Sequence, residues 1–350
     1  MADFPIVSTS TVVGTVDVTD NFVFDSATPT LFMCGLYMVL GVTAIGANIL
    51  NIAIFLTNDE LRRKYIFYIA LDAGEMINGL SYVLTSIGRG SGVLDGTFGV
   101  PITYHDCFFN RYWVHTLIMG TELPALITVV ISIERILAVH KPKLYSAIVT
   151  HRTKVASLVG VVVLQLCSLT IAGISAYENM EKSNTRHCAI ITSTATFFST
   201  FHFTFIACAY VVSFVSLLVI YIIHRQIKKN AQNSYGRRRN PQLGLFLSVT
   251  GSSIILVAMP SIVMIGIRWH WFTVNDIGVG LTYATTGFLS VTNTILNFIF
   301  REEYRIQLKQ FIRFNLKSAG GSRVFVTSRI SPLTEIGRLR EGVTSHRESR

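Results

Sequence analysis

The side chains in this sequence that could do chemistry are a few acids and amides that interrupt long apolar stretches. An ionisable or amide side chain is costly in such surroundings, so each one is a candidate for ion binding, ligand contact or a hydrogen bond between helices. The residues are Asn48, Asp72, Glu75, Glu122, Asn293 and Asn297. His-Glu-x-x-His, Gly-x-Ser-x-Gly and glycine-rich phosphate-binding motifs do not occur, so we expect no enzymatic activity.

The elements that must position these residues are helices long enough to cross a membrane. Of the 350 residues, 50% are hydrophobic and 14% are charged, whereas soluble domains have about 25% charged residues. A helix of about 20 apolar residues crosses a bilayer core. Blocks of this kind occur at 31–56, 65–88, 112–139, 155–174, 195–223, 244–267 and 277–300. The sequence therefore predicts an all-α membrane protein, a seven-transmembrane helix bundle.

Positive charge is distributed unevenly over the segments between these blocks. Most of the 30 Lys and Arg residues lie in segments 57–64, 140–154, 224–243 and after residue 300. Because cytoplasmic loops are enriched in Lys and Arg, we expect an extracellular tail at 1–30, the bundle at 31–300 in the plasma membrane, and a cytoplasmic C-terminus. Segment 1–30 lacks a basic-then-apolar signal peptide, so the first block would act as the membrane signal. A net charge of +10 spread in this way does not predict nucleic-acid binding.

Two of the five cysteines fall in predicted extracellular loops. Cys107 precedes the third block and Cys188 precedes the fifth, while the other three lie within blocks. An oxidising exterior permits a disulfide between Cys107 and Cys188. Two free thiols are the alternative.

The polar residues, taken together, resemble the motifs of rhodopsin-like G-protein-coupled receptors. That family has Asn in the first span, Asp in the second, Asp/Glu-Arg-Tyr at the end of the third and Asn-Pro-x-x-Tyr in the seventh. The matching residues here are Asn48, Asp72, Glu134-Arg135-Ile136 and Asn293. Pro260 matches the sixth-span proline, and the pair of extracellular cysteines matches the family's disulfide. The resemblance covers roughly residues 31–315.

Departures from these motifs indicate a divergent branch of the family. Thr294 and Asn297 replace the seventh-span proline and tyrosine, and Ala258 replaces the sixth-span tryptophan. Leu117 stands where amine receptors have Asp, and Gly287 stands where opsins have their retinal-binding Lys. Neither an amine ligand nor retinal is therefore expected. This eroded signature is similar to that of the nematode serpentine chemoreceptors, which implies a chemosensory role and a location that could include a sensory cilium.

The resemblance implies roles for two groups of residues. Glu134, Arg135 and Ile136 would couple to a heterotrimeric G protein, with Pro260 as the activation hinge; an ordinary interfacial anchor is the alternative for Arg135. The intramembrane polar network would bind a sodium ion near Asp72, or would simply tie the helices together by hydrogen bonds. The members of this network are Asn48, Asp72, Glu75, Asn293 and Asn297.

A pocket for a small, largely apolar ligand is expected between the outer halves of the helices. Glu122 would either contact the ligand or hydrogen bond to a neighbouring helix. Aromatic residues at a membrane boundary are more often interfacial anchors, which is the alternative for the aromatic candidates. The candidate pocket residues are His115, Thr116, Leu117, Glu122, Thr282 and Tyr283.

The segment after the last block is expected to contact the membrane surface. In segment 301–315, Tyr304 and Leu308 share an apolar helical face, opposite a face with Arg305 and Lys309, which is typical of a helix lying on lipid. The basic, Ser/Thr-containing tail at 316–350 is predicted to be disordered. Its phosphorylation could recruit an arrestin-like regulator, or the tail could bind anionic lipids.

Two classes of function remain open from the sequence. The first is a chemosensory receptor that binds an external small molecule and activates a heterotrimeric G protein. The alternative is a ligand-gated channel or small-solute transporter, for which the intramembrane acids could line a path. The sequence shows no internal repeat of the kind common in transporters.

Overall fold

Long helices joined by short segments make up the described part of the chain. The structure is a computed structural model that describes residues 26–57, 59–177, 179–183, 185–230, 241–271, 274 and 276–319. Most of the predicted tail at 1–30, much of the loop at 224–243 and the segment from residue 320 lie outside the described residues. The chain divides into two compact units, and the second begins at Leu308. Its described residues are the last turns of the final helix.

The helices follow the order of the apolar blocks. They are α1 (Ala27–Leu56), α2 (Asp59–Lys64), α3 (Ile66–Leu94), α4 (Tyr104–Asn110), α5 (Tyr112–His140), α6 (Pro142–Ile148), α7 (His151–Ala176), α8 (Thr196–Asn230), α9 (Pro241–Ser253), α10 (Met259–Arg268), α11 (Asp276–Phe300) and α12 (Glu302–Ala319). A π-helical turn, Ile254–Ala258, joins α9 to α10 without a break. Each predicted block coincides with one long helix, the sixth with α9 and α10 together.

Five helices in the described residues are long enough and apolar enough to cross a membrane. They are α1, α5, α7, the Thr196–Ile223 part of α8, and the continuous segment Leu247–Arg268. Helices α3 and α11 have 29 and 25 residues but carry more polar side chains. The protein is therefore a helical protein with the character of a membrane protein.

Large apolar side chains face outward and polar side chains face inward. On α7, Val159, Leu164 and Ile171 are all more than half exposed, whereas Gln165 on the same helix is buried. A water-soluble protein rarely exposes an apolar surface of this extent. Exposed apolar side chains together with buried polar ones fit a bundle surrounded by lipid.

Glycines allow close approach between α1 and α3 and between α3 and α5. A Cβ atom added at Gly41 would lie 2.7 Å from the carbonyl oxygen of Gly79, and one added at Gly120 would lie 2.6 Å from Cα of Asn78. Small residues at helix contacts are a common feature of membrane bundles. The close contacts hold the polar face of α3 against both neighbours.

One end of the bundle, which we call the disulfide end, is closed by the segments before α5 and α8. Cys107 and Cys188 form a disulfide there, as predicted. Strand β1 (Ile102–Thr103) pairs antiparallel with β2 (Lys182–Ser183), with Ile102 opposite Ser183. The 3-10 turn Ile190–Thr192 is fully buried between α5 and α8. Trp113 Nε1 donates to the carbonyl oxygen of Cys188 at 3.1 Å, which fixes this segment to α5.

The π turn lies directly before Pro260. The backbone N–H of Met259 reaches the carbonyl oxygen of Ile254, five residues back. Pro260 has no N–H, and its ring crowds the carbonyl four residues earlier, so the helix cannot keep regular α geometry here. Wide turns of this kind are frequent at functional sites. This is the position that the sequence predicts to be a hinge.

Candidate functional site

At the end of the bundle opposite the disulfide, α5 places a buried carboxylate among three partners. Glu134 is 5% exposed and accepts from Arg135 at 3.2 Å, from Lys154 Nζ at 2.7 Å and from the Tyr145 hydroxyl at 3.2 Å. We call these four residues the Glu134 cluster. Partial burial and the adjacent Glu134 carboxylate raise the pKa of Tyr145, so its hydroxyl remains a donor. Ile136 is half-buried beside the cluster.

The cluster holds Arg135 by a contact with its neighbour in the sequence, Glu134. Its other cation, Lys154, comes from the first turn of α7 and also lies 5.4 Å from the centre of the Phe67 ring on α3. Lys154 and Tyr145 were not singled out in the sequence. Their signal was weak because basic residues in a loop at this end are explained by topology alone.

A second cation at this end is enclosed by aromatic rings. Arg301 is 6% exposed, and its guanidinium carbon lies 3.9 Å from the ring centre of Tyr68, 4.6 Å from that of Tyr65 and 5.3 Å from that of Phe55. Such contacts contribute roughly 2 kcal/mol each when shielded from water. They attach the start of α12 to α1 and α3.

Two further contacts fix the first turn of α12. Glu303 accepts from Lys64 Nζ at 2.8 Å and from the Tyr65 hydroxyl at 2.6 Å. Although partial burial opposes it, these hydrogen bonds hold the pKa of the Glu303 carboxyl below its usual value. Burial raises the pKa of Tyr304 to about 12. Its hydroxyl is therefore a donor, and it reaches Asn51 Oδ1 at 2.8 Å.

Toward the Glu134 end of the bundle, amide side chains connect α1, α3 and α11. Asn51 Nδ2 donates to Asp72 Oδ1 at 3.2 Å and to Thr294 Oγ1 at 3.0 Å. Together with the hydrogen bond from Tyr304, these contacts make Asn51 the centre of the network on the side opposite the disulfide end. Thr294 stands at the position where the receptor motif has proline, and its hydroxyl allows this contact.

The predicted network residues form separate pairs close to this centre. Asn48 Nδ2 donates to Ser290 Oγ at 3.1 Å, and Asn293 Nδ2 donates to Glu75 Oε1. Asn297 is buried on the same helix as Asn293, and no direct bond joins Asn48 to Asp72 within the described residues. The structure thus places four of the five predicted residues around Asn51 and Ser290, which were not singled out in the sequence. The fifth, Asn297, has a buried Oδ1 atom without a hydrogen-bond partner.

The oxygen atoms of this network fit a small hard cation. Asp72 Oδ2, Glu75 Oε2 and Asn293 Oδ1 are buried and have no hydrogen-bond partner. A cavity of about 10 Å³ lies beside Glu75, lined also by Asn78 and Ser290 among others, which is room for about one water molecule or ion. Carboxylate and amide oxygens are the ligands that hard cations prefer. A bound sodium ion would offset the charge of the two acids.

Glu122 lies in a separate buried group that joins α5, α7 and α8. Its Oε1 contacts His202 Nδ1 at 2.7 Å and Ser168 Oγ at 2.9 Å, and its Oε2 accepts from Gln165 Nε2 at 2.9 Å. Thr121 Oγ1 contacts the other nitrogen of His202 at 3.1 Å. Both carboxylate oxygens are thus engaged, which favours the hydrogen-bonding alternative for Glu122 over a ligand contact.

Near the disulfide end, side chains of α1, α3, α5 and α11 surround a narrow gap that does not admit a water molecule, and we call this gap the Arg89 cavity. Its lining residues are Tyr37, Tyr82, Thr85, Arg89, Leu117 and Tyr283. Leu117 and Tyr283 were predicted to line a pocket, whereas the other four were not. Arg89 was counted as a loop residue from the sequence, but it belongs to α3 and is 4% exposed.

The remaining predicted pocket residues do not line this cavity. The ring of His115 packs 4.6 Å from the ring of Phe108, and the hydroxyls of Thr116 and Thr282 bond to backbone carbonyls of their own helices. Glu122 is occupied by the group described above. The cavity therefore lies closer to α1 and α3 than the sequence suggested.

Comparison with models of protein families and with curated protein sequences finds no match to this chain.

Proposed function

We propose that this protein is a G-protein-coupled chemosensory receptor of the plasma membrane, with seven membrane-spanning helices, an extracellular N-terminus and a cytoplasmic C-terminus. In this proposal α3 and α11 span the membrane with the five more apolar helices. At 1.5 Å per residue, their 29 and 25 residues extend about 44 and 38 Å, more than the roughly 30 Å of a bilayer core. Leu80, Ile87 and Phe288 give both helices exposed apolar side chains on the outside of the bundle.

The observation that carries the proposal is the Glu134 cluster. Arg135 and Lys154 share one buried carboxylate at the end of the bundle where the basic loops collect. A guanidinium held in this way can change partner when the helices move, and it can then bind a cytosolic protein. The Arg89 cavity lies about 27 Å away along α5, since Leu117 and Arg135 are 18 residues apart.

The amide network and the π turn lie between these two sites. The network joins α1, α3 and α11, and the π turn lies in the helix that packs between α8 and α11. In the proposed mechanism these helices can pack in two ways, and the ligand binds better to one of them. Ligand binding therefore shifts the population toward that packing, which is the conformation that binds the G protein. Sodium near Asp72 would stabilise the opposite conformation.

Arg135→Ala tests the coupling role. Cells expressing the chain with a promiscuous Gα subunit would be screened against volatile and water-soluble compounds, and surface expression would be measured in parallel. We expect Arg135→Ala to remove ligand-driven signalling while surface expression is kept. Arg62→Ala, on the exposed α2, is the matched control and should signal normally. Signalling that survives Arg135→Ala would contradict the coupling role, and ligand-driven ion flux without a G protein would favour the channel alternative.

A further inference from the structure

The Arg89 cavity contains a buried positive charge whose compensation is incomplete. Arg89 donates from Nε to the carbonyl oxygen of His187 at 2.7 Å, and its guanidinium carbon lies 5.9 Å from the ring centre of Tyr37. Within the described residues, no carboxylate forms an ion pair with it. An arginine near a helix end ordinarily extends into water. Arg89 does not, because it is only 4% exposed.

The walls around this charge are mostly aromatic. Tyr37 comes from α1, Tyr82 from α3 and Tyr283 from α11, and Leu117 closes the side toward α5. Thr85, one turn before Arg89, has a buried hydroxyl oxygen without a hydrogen-bond partner. A guanidinium and a hydroxyl oxygen without a hydrogen-bond partner are thus enclosed by aromatic and apolar side chains.

We propose that the Arg89 cavity binds a small organic carboxylate, with Arg89 as the counterion of the carboxylate group. This inference rests on the proposed function, because it names the chemical class of the receptor's ligand. A guanidinium donates two parallel hydrogen bonds to a carboxylate, and such bonds are strong when water is excluded. In this conformation the space between the lining side chains does not admit even a water molecule, whereas sites for drug-sized ligands have roughly 300–1,000 Å³. A ligand must therefore push the lining side chains apart, and we expect its apolar body to be compact, about one ring or a short chain.

Binding in this cavity has a direct route to the amide network. The hydroxyl of Tyr82 donates to the carbonyl oxygen of Tyr283 at 2.6 Å and also contacts Thr286, so it bridges α3 and α11 across the cavity. Because the lining side chains are closely spaced, a ligand must break the hydrogen bond from Tyr82 to Tyr283 to enter. The same two helices carry Glu75 and Asn293, two to three turns further on.

The surface of the disulfide end would assist the approach of an anion. A depression at the disulfide end is lined by Arg111, Lys182 and Arg186, together with Asp106. The carboxylate of Asp106 is engaged by the Thr103 hydroxyl at 2.8 Å and by Asn110 Nδ2 at 3.1 Å. Positive side chains on the surface around a site raise the association rate of anionic ligands.

The test compares acids with their uncharged amides. The purified full chain in lipid nanodiscs would be titrated with benzoate and benzamide, phenylacetate and phenylacetamide, and hexanoate and hexanamide, with binding followed by calorimetry. We expect at least one carboxylate to bind about tenfold or more tightly than its own amide. Arg89→Gln should abolish that preference without weakening the amide, and Arg89→Lys should retain part of it.

Other outcomes would overturn the inference. They are equal or tighter binding of the amides, no binding by any of the three pairs, or an unchanged preference in Arg89→Gln. A purely structural role of Arg89 would weaken acid and amide alike, which also contradicts the proposal. No G protein is present in this measurement, so its result is independent of the coupling test on Arg135. Carboxylate binding without G-protein activation would refute the receptor mechanism and leave the ligand class intact.

Discussion

Asp72 and Glu75 lie one turn apart on α3, where two neighbouring carboxylates are stable only with compensation. Asn51 and Asn293 each donate to one of them, and one oxygen of each acid has no hydrogen-bond partner. Donation by amides alone does not neutralise two buried acids. Protons or a bound cation must supply the remaining positive charge. The carboxylate oxygens without a hydrogen-bond partner favour the cation.

Sodium should therefore stabilise the folded protein through Asp72. At a concentration ten times the dissociation constant the gain is about 1.4 kcal/mol, or a few degrees in Tm. We expect a higher Tm in sodium chloride than in choline chloride at equal ionic strength, and no such difference for Asp72→Asn. Asp95→Asn, an exposed position just after α3, is the matched control and should behave as the wild type. A sodium effect that persists in Asp72→Asn would rule out this site.

For single residues, the sequence predicted which side chains are buried better than it predicted their hydrogen-bond partners. Asp72, Glu75 and Asn293 stood out because acids and amides are rare in apolar blocks. Asn51 lies in the same block as Asn48 and was passed over because it matches no family motif. Arg89 was assigned to a loop because the hydropathy of the second block falls before residue 89, while the helix continues to Leu94. Burial of a charge near a helix end depends on the loop above it, which hydropathy does not describe.

At the scale of the helices, the contact between α1 and α3 depends on the absence of a side chain at Gly41. Gly41→Ala would place its Cβ 2.7 Å from the carbonyl oxygen of Gly79 and 3.0 Å from the backbone nitrogen of Val83. Neither atom can move without shifting a helix. We expect a loss of about 1–3 kcal/mol in the free energy of unfolding.

The matched control for this change lies on the same helix. A Cβ added at Gly46 meets nothing within 4 Å, so Gly46→Ala should be neutral or slightly stabilising, since alanine favours helix more than glycine. Thermal unfolding of both purified variants would give the comparison. Equal Tm values for the two variants would show that α1 does not pack against α3 as described.

The attachment of α12 should depend on pH through Glu303. The folded-state pKa of Glu303 lies below the ordinary value of 4.5, so its contribution is present above pH 4.5 and is lost as the pH falls through the folded-state pKa. The pKa of Lys64 is raised above 10.5, because its hydrogen bond to Glu303 outweighs partial burial. Its contribution is therefore present below pH 10.5 and is lost as the pH rises through the folded-state pKa.

Glu303→Gln tests this contact. The pair is partly exposed, so we expect a loss of about 0.2–1 kcal/mol at pH 7. The difference in Tm between Glu303→Gln and the wild type should shrink as the pH falls from 7 to below 4.5. The exposed neighbour Glu302 is the control, and Glu302→Gln should have no comparable pH-dependent effect. A difference that stays constant down to pH 3.5 would contradict the assignment.

The existence of the long helices was predictable, but their detail was less so. The seven apolar blocks and the long helices coincide because about 20 apolar residues have no other stable structure in lipid. The sixth block was read as one helix with a proline. Its π turn forms because of Pro260 and packs against α8. The periodicity of apolar residues does not reveal a single turn of this kind, so the sequence pattern could not predict it. The β1–β2 pair was missed because two-residue strands have no periodic signal.

At the scale of the whole molecule, the proposed topology places residues 1–25 and the C-terminal tail on opposite sides of the membrane. The sequence has no Asn-x-Ser/Thr acceptor, so an introduced acceptor reports its own location. Val7→Asn and Val326→Asn each create one, before Ser8-Thr9 and before Thr327-Ser328. We expect a glycan on the first variant only, seen as a mobility shift that endoglycosidase removes. A glycan on the second variant would invert the topology and with it the side on which the Glu134 cluster lies.

The proposed receptor function is tested most directly by asking whether the purified chain catalyses nucleotide exchange on a heterotrimeric G protein. The chain in nanodiscs would be mixed with purified Gi, Gs and Gq heterotrimers, and the binding of a non-hydrolysable GTP analogue would be followed over time, with and without the carboxylates used above. We predict faster exchange on at least one heterotrimer, reduced at least tenfold by Arg135→Ala and unaffected by Arg62→Ala. Exchange that proceeds at the rate of the G protein alone, or that is the same with Arg135→Ala, would contradict the receptor assignment.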